Sequence, residues 1–279
     1  MTALAITAFA SNSLICRAAL GTSLIDPASF TTVRLVSAAV VLAVIVLIRR
    51  GHMPQLSFGD WRAAGALFAY AVFFSFGYVL LTTGTGALIL FGSVQLTMFA
   101  WAFYEGERFT AFAWGGLALA AGGLVWLVLP GLEAPDPLGA LFHTISGAAW
   151  GVFSLLIRGA KHPVESNAAN FLICVPLVLV VSVLFWGDLN TSAPGLALAV
   201  LSGGLASGGG YVVWYWVLRH LPAARASAAQ LSAPAIAALG GVVVLGEDLT
   251  LRLIVASAAM LGGVAVVLMQ KARVAPPAQ

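Results

Sequence analysis

The sequence predicts an all-α integral membrane protein of ten transmembrane helices, arranged as two inverted five-helix repeats around a central cavity. Three observations carry this reading. Of 279 residues, 61% are hydrophobic and only 8% charged, whereas soluble domains carry about 25% charged residues. The apolar residues fall into ten stretches long enough to cross a hydrocarbon core, which takes about 20 residues. Finally, Glu107-Arg108-Phe109 followed by Gly122-Gly123 recurs 140 positions later as Glu247-Asp248-Leu249 followed by Gly262-Gly263, each acid 15 positions before its first Gly.

The first stretch, 3–21, contains Ala8-Phe9-Ala10, a small-x-small pattern found at cleavage sites, but lacks a basic leader and runs on through Leu14 and Ile15. A retained helix is therefore expected. The second, 28–49, stops at Arg49-Arg50-Gly51. Stretches 60–82, 84–104 and 109–129 complete the first half, which ends in the Pro- and Gly-rich segment 130–137. The second half holds 137–158, 165–186, 194–218, 222–245 and 249–270, divided by short polar or Pro-containing turns such as Lys161-His162-Pro163. With connections this short, function is expected within the bundle or at its faces.

Domain limits follow as 1–131 for the first repeat, 137–271 for the second and 272–279 for a short cytoplasmic tail. Placing the N-terminus in the cytoplasm puts Arg49, Arg50, Arg62, Arg108, Arg158, Lys161, Arg219, Arg225, Lys271 and Arg273 inside and leaves Arg17, Arg34 and Arg252 in the outer half. This positive-inside bias predicts both termini in the cytoplasm of a bacterial-type inner (plasma) membrane. Five helices per repeat is an odd number, so the second copy must enter the membrane from the opposite side. Such inverted repeats recur in transporters that work by alternating access.

The net charge of +3 sits in loops, where topology explains it without nucleic acid. Cys16 and Cys174 lie in different halves and offer no metal or disulfide spacing. Glu107 and Glu247 fall at helix starts and read as caps for free backbone N–H groups. The Gly-Gly pairs read as close-packing positions.

On these residues the chain resembles the EamA branch of the drug/metabolite transporter superfamily. Each half carries a Gly-Glu-x motif, Gly106-Glu107-Arg108 and Gly246-Glu247-Asp248, at the turn into its last helix; Pro234 also fits the ninth-helix pattern, while the first half departs from it with Val94. The aromatic-rich interior is similar to that of YddG-type exporters of aromatic and neutral amino acids. The resemblance implies a cavity lined by the first, third, fourth, sixth, eighth and ninth helices.

Helical periodicity selects candidate residues on those helices. His143, Ser146, Trp150 and Ser154 share one stripe of the sixth; Ser207, Tyr211, Trp214 and Tyr215 form another on the eighth, around the Gly208-Gly209-Gly210 run. Phe91, Gln95, Met98 and Trp101 lie on the fourth, Tyr70, Phe74 and Tyr78 on the third, Ser11, Asn12 and Ser13 on the first, and Ser227 and Gln230 on the ninth. Aromatic rings with a few hydrogen-bonding groups suit a compact amphiphile such as a neutral amino acid. Against this stands the structural alternative, in which Trp and Tyr anchor at interfaces and Ser or Gln tie helices together.

Arg34, about two turns into the second helix, reads as ion-paired or bound to carbonyls near the outer surface, with Asp26 and the Glu247-Asp248 pair as candidate partners. Arg17 and Arg158, near opposite faces, read as gate or anchor residues. No Asp or Glu falls at the middle of a span, so export is expected to be facilitative or coupled to protons through His143. No phosphate-binding Gly-rich loop and no Ser-His-Asp set is found. The reading is therefore a small-molecule transporter in a lipid bilayer, without catalytic residues, cofactor, metal or nucleic-acid partner. A monomer is compatible with the chain. The alternatives are export of drugs, nucleosides or other metabolites, or a membrane-embedded enzyme.

Overall fold

The computed structural model describes residues 1–131, 133–220 and 229–274, giving the backbone alone for 218–219 and 270–274. Among the described residues, ten long helical segments follow one another: α1 (Thr2–Leu20), α2 (Pro27–Arg50), α3 (Trp61–Leu80), α4 (Thr83–Tyr104), α5 (Ala111–Val128), α6 (Pro137–Leu156), α7 (Pro163–Leu184), α8 (193–220), α9 (Ser232–Leu245) and α10 (Leu251–Val274). Nine are long and apolar enough to cross a membrane, and α9 is a shorter apolar helix. The expected stretch 222–245 begins in 221–228, outside the described residues. Elsewhere the expected ends hold to within a few residues.

Local chemistry explains the helix starts. Asp26 and Asp136 each precede a proline at the first helical position and accept a hydrogen bond at 2.8 Å from the third residue beyond, Ser29 N and Gly139 N. Proline fits there because its missing N–H would have had no intrahelical partner. Asp60 caps α3 through Arg62 N and Ala63 N. Three positions past each duplicated acid a threonine caps the helix that follows: Thr110 Oγ1 accepts from Ala113 N and Thr250 Oγ1 from Leu253 N.

α8 is not uniform. Its Ala193–Val200 and Gly210–His220 portions are α-helical, but Leu201–Gly209 between them is a π-helix. Four of the nine residues of this stretch are glycine, and it takes in the first two of the Gly208-Gly209-Gly210 run. Gly204 and Gly208 face Val41 of α2, and Gly203 lies so close to the Arg34 carbonyl that a Cβ has no room.

Helix pairing obeys the exchange of α1–α5 for α6–α10. α5 packs on α10 and α2 on α7, each helix against its own counterpart; α3 with α6 is answered by α8 with α1, α4 with α6 by α9 with α1, and α3 with α7 by α8 with α2. Because α6 begins at the end of the bundle where α1 finishes, the two halves are inverted. At the α5–α10 seam, a Cβ on Gly116 would fall on the Gly263 carbonyl oxygen and one on Gly263 on that of Gly116. Apolar side chains such as Ile48, Leu184 and Val243 remain exposed around the perimeter, the surface a bilayer covers.

Candidate functional site

A small cavity lies where the two halves meet. α1 contributes Phe9, Asn12 and Ser13; α3 contributes Tyr70 and Phe74; α4 contributes Leu90 and Phe91. Trp150 of α6, Ala206, Ser207 and Tyr211 of α8, and Gln230 just before α9 complete the wall. These are the helices the family resemblance implied. The aromatic side forms a continuous stack, with the Trp150 ring parallel to Tyr211 at 5.4 Å and 4.8 Å from Tyr70. Tyr211 also meets Phe9 at 6.1 Å. On the polar side, Asn12 Oδ1 accepts from Ser202 Oγ at 2.6 Å, while the buried Ser207 hydroxyl has no partner.

The cavity measures about 30 Å³, whereas sites for small organic ligands run from about 300 to 1,000 Å³. Binding anything larger than water therefore requires these helices to part. At the end of the bundle where α1 begins, a recess of about 430 Å³ is bordered by Arg49, Arg50, His162 and Glu165 and by Val212 and Tyr215, adjacent to Tyr211 on α8. Though larger, this recess has a charged rim and lacks the aromatic stack, so the inner cavity is the candidate site.

At the opposite end the bundle is tied shut. Glu247 accepts from Thr83 N through both oxygens, at 3.0 and 2.9 Å, and thereby caps α4. Arg17 Nε meets Glu247 Oε1 at 3.3 Å, and Arg17 Nη1 donates to the Tyr78 and Val79 carbonyls. One carboxylate thus joins α1, α4 and the α9–α10 turn.

The profile of the EamA-like transporter family matches residues 137–269. An uncharacterized protein of Pseudomonas aeruginosa is 48% identical over 96% of this chain and 93% of its own length. An uncharacterized transporter of Archaeoglobus fulgidus is 24% identical over 88% of this chain and 90% of its own. The threonine/homoserine exporter RhtA of Salmonella typhimurium is 30% identical over 53% of this chain and 51% of its own. The chain belongs to the EamA-like transporter family. A crystal structure sharing 21% identity superposes on this EamA protein with a TM-score of 0.68, covering 96% of this chain and 98% of the other, and so shares its fold. This is a membrane transporter, not an enzyme.

Within the transporter, the expected residues divide. Phe74, Phe91, Trp150, Ser207, Tyr211, Asn12 and Gln230 line the cavity. His143 is fully buried behind it, edge-on to Tyr78 at 4.4 Å, in a cradle that Gly77 and Gly86 leave by lacking side chains. Neither His143 ring nitrogen meets hydrogen-bond geometry. Tyr78 is likewise buried away from the cavity. Ser146 donates to the Tyr70 carbonyl at 2.9 Å and fastens α6 to α3. Trp214 packs edge-on to Phe9 at 5.5 Å, behind the lining.

Gln95 is buried one turn beyond Phe91, while Met98 is half-buried and Trp101 is 43% exposed beside Tyr104. Ser11 is half-buried outside the lining, and Ser227 lies outside the described residues. Arg158 is exposed in the turn after α6, and Glu107 lies in the α4–α5 connection. Phe9, Leu90 and Ala206 are lining residues the sequence reading missed. Phe9 shares a 0, 3, 4 stripe with Asn12 and Ser13, a spacing that would have found it.

Arg34 departs most from expectation. It is 1% exposed and bonded neither to Asp26 nor to Glu247. Asp26 accepts from Ser29 N and Asn190 N instead, and Glu247 is held by Arg17 and Thr83. Arg34 Nη2 donates to the Tyr70 hydroxyl at 2.9 Å, and its guanidinium lies 4.5 Å from the Phe74 ring centre and 5.2 Å from that of Tyr70.

Proposed function

We propose that this EamA protein exports neutral amino acids, aromatic ones foremost, across a bacterial-type inner membrane by alternating access. The two repeats, 1–131 and 137–271, are the moving units, both termini lie in the cytoplasm with 272–279 as a short tail, and the pathway resembles that of YddG-type exporters. The observation that carries the reading is the Trp150–Tyr211 stack facing Asn12, Ser207 and Gln230. Flat rings take up a side chain's apolar area while amide and hydroxyl groups bond its polar head. RhtA, named as a threonine/homoserine exporter, supports the amino-acid class.

The tied end at Arg17 and the recess at the opposite end suit an inward-facing arrangement, in which substrate arrives past Tyr215 and Tyr211. Among the described residues the lining includes no Asp or Glu, which favours movement down the substrate's own gradient. Reconstituted protein should take up labelled phenylalanine and tryptophan with no proton gradient imposed. Uptake of a lipophilic cation alone would overturn the amino-acid reading, and a requirement for a proton gradient would overturn the facilitative one.

A further inference from the structure

Arg34 is among the largest wholly buried side chains. It stands about 10 Å along α2 at the usual 1.5 Å rise per residue, with its side chain 1% exposed inside the bundle. The ion pairs among the described residues are Arg17–Glu247, His52–Glu165 and Arg62–Asp60, and Arg34 takes part in none. Its neighbours are a neutral hydroxyl and two ring faces, and its Nε and Nη1 have no hydrogen-bond partner. A buried cation left in this condition is costly and is retained in membrane proteins chiefly where function uses it.

Its location gives the use. Tyr70 and Phe74, the two rings that hold the guanidinium, are also walls of the central cavity. The same turn of α2 is clasped by the π-helical stretch, since Gly203 sits against both the Arg34 carbonyl and Ser37 Oγ. That stretch also carries Ser207, whose buried hydroxyl lines the cavity without a partner. Two unsatisfied polar groups, one cationic, thus lie on elements packed together beside the site. A guanidinium with free donors in a low-dielectric setting matches a carboxylate, which can accept two parallel N–H bonds.

We propose that Arg34 is the subsite for the carboxylate of the transported molecule, with Tyr70 as the side chain that yields its hydroxyl bond when the cavity widens. The proposal rests on the amino-acid reading and deepens it. Selection falls on the carboxylate rather than the ammonium group, because a cation stands directly behind Tyr70 and Phe74 and the described lining residues include no acid. Carboxylates lacking an amino group therefore bind, and amines lacking a carboxylate do not.

Purified full-length protein and its Arg34→Met and Arg34→Lys variants are melted in detergent with phenylalanine, phenylalaninamide and phenylpyruvate, and proteoliposome uptake of labelled phenylalanine is measured in parallel. Wild type should be stabilised by phenylalanine and phenylpyruvate but not by the amide, a preference of about tenfold or more in affinity for a charge-assisted bidentate contact. Arg34→Met should melt no lower than wild type, since an apolar residue of similar length relieves the buried charge, and should lose the preference. Arg34→Lys should keep the preference at weaker affinity. Equal stabilisation of wild type by acid and amide would overturn the proposal, as would a variant that melts lower yet keeps the preference. If phenylpyruvate binds through Arg34 but no amino acid is transported, the amino-acid reading fails while the carboxylate subsite stands.

Discussion

Glu247 and Arg17 stand 230 positions apart in sequence, yet they meet at 3.3 Å, and the same carboxylate caps α4 through Thr83 N. The pair is 12% and 23% exposed at its side chains, intermediate between a surface pair worth little and a buried one. Glu247→Gln keeps an acceptor for Thr83 N and should cost less than Glu247→Ala, which leaves that N–H bare at a penalty of about 1–3 kcal/mol. A double-mutant cycle with Arg17→Ala, followed by thermal unfolding, should return a coupling near 1 kcal/mol, in the range for partly exposed ion pairs. The same variants should increase labelling of a cysteine introduced at Ser13, buried in the cavity one turn from Arg17, in lipid vesicles, because the tie closes that end.

The two glycines of each Gly-Gly pair are not equivalent. Gly123 packs against Ala259 and Met260, and Gly263 against Ala120 and the Gly116 carbonyl, whereas Gly122 and Gly262 face open space. Gly262→Leu should therefore change the melting temperature little, within about 0.5 kcal/mol. Gly263→Leu should lower it by the several degrees expected of overpacking, about 1–3 kcal/mol. Equal effects would mean that the α5–α10 seam is not formed this way.

Gly86 lies against the edge of Tyr78 and the His143 ring: an added Cβ would come within 2.5 Å of Tyr78 Cε1 and 2.9 Å of His143 Nε2. Gly86→Ala should destabilise by roughly 1–3 kcal/mol. Combining it with His143→Ala should recover part of that loss, and transport by His143→Ala should keep its independence of an imposed proton gradient. Failure of the rescue in thermal unfolding would place the strain elsewhere.

Trp150 and Tyr211 make the flattest ring contact of the cavity, with 20° between their planes. Either change to Ala should weaken phenylalanine uptake about tenfold or more, as loss of an aromatic contact and its buried area predicts, while threonine uptake falls less. Trp101→Ala, at a side chain far from the lining, should leave both nearly unchanged. Concentration-dependent uptake in vesicles separates the two cases.

The fold was legible because hydropathy and repetition are written locally. Span positions, the inverted halves and the helices that surround the cavity all followed from them or from the family resemblance. Side chains that act across helices were harder to read. Glu247 stands before α10 but caps α4, and the local cap is Thr250. The stripe from His143 to Ser154 does share one face, but its His143 and Ser146 portion is used against α3 and only Trp150 reaches the lining. Trp101 follows Phe91 by ten residues, about 15 Å along a helix axis, which carries it past the level of the cavity. Arg34's partners are rings and a hydroxyl rather than acids, a pairing that no count of charges reveals.

The π-helical stretch of α8 has a consequence for how the halves divide their labour. Its partner under the exchange, α3, is an uninterrupted α-helix, so the symmetry of position is not a symmetry of stiffness. Five-residue backbone loops and four side-chain-free positions let α8 change pitch where α3 can only tilt. The bundle thus sets a regular helix against an irregular one: α3 carries Tyr70 and Phe74 on an unbroken α-helix, and α8 carries Ser207 within its wider coil.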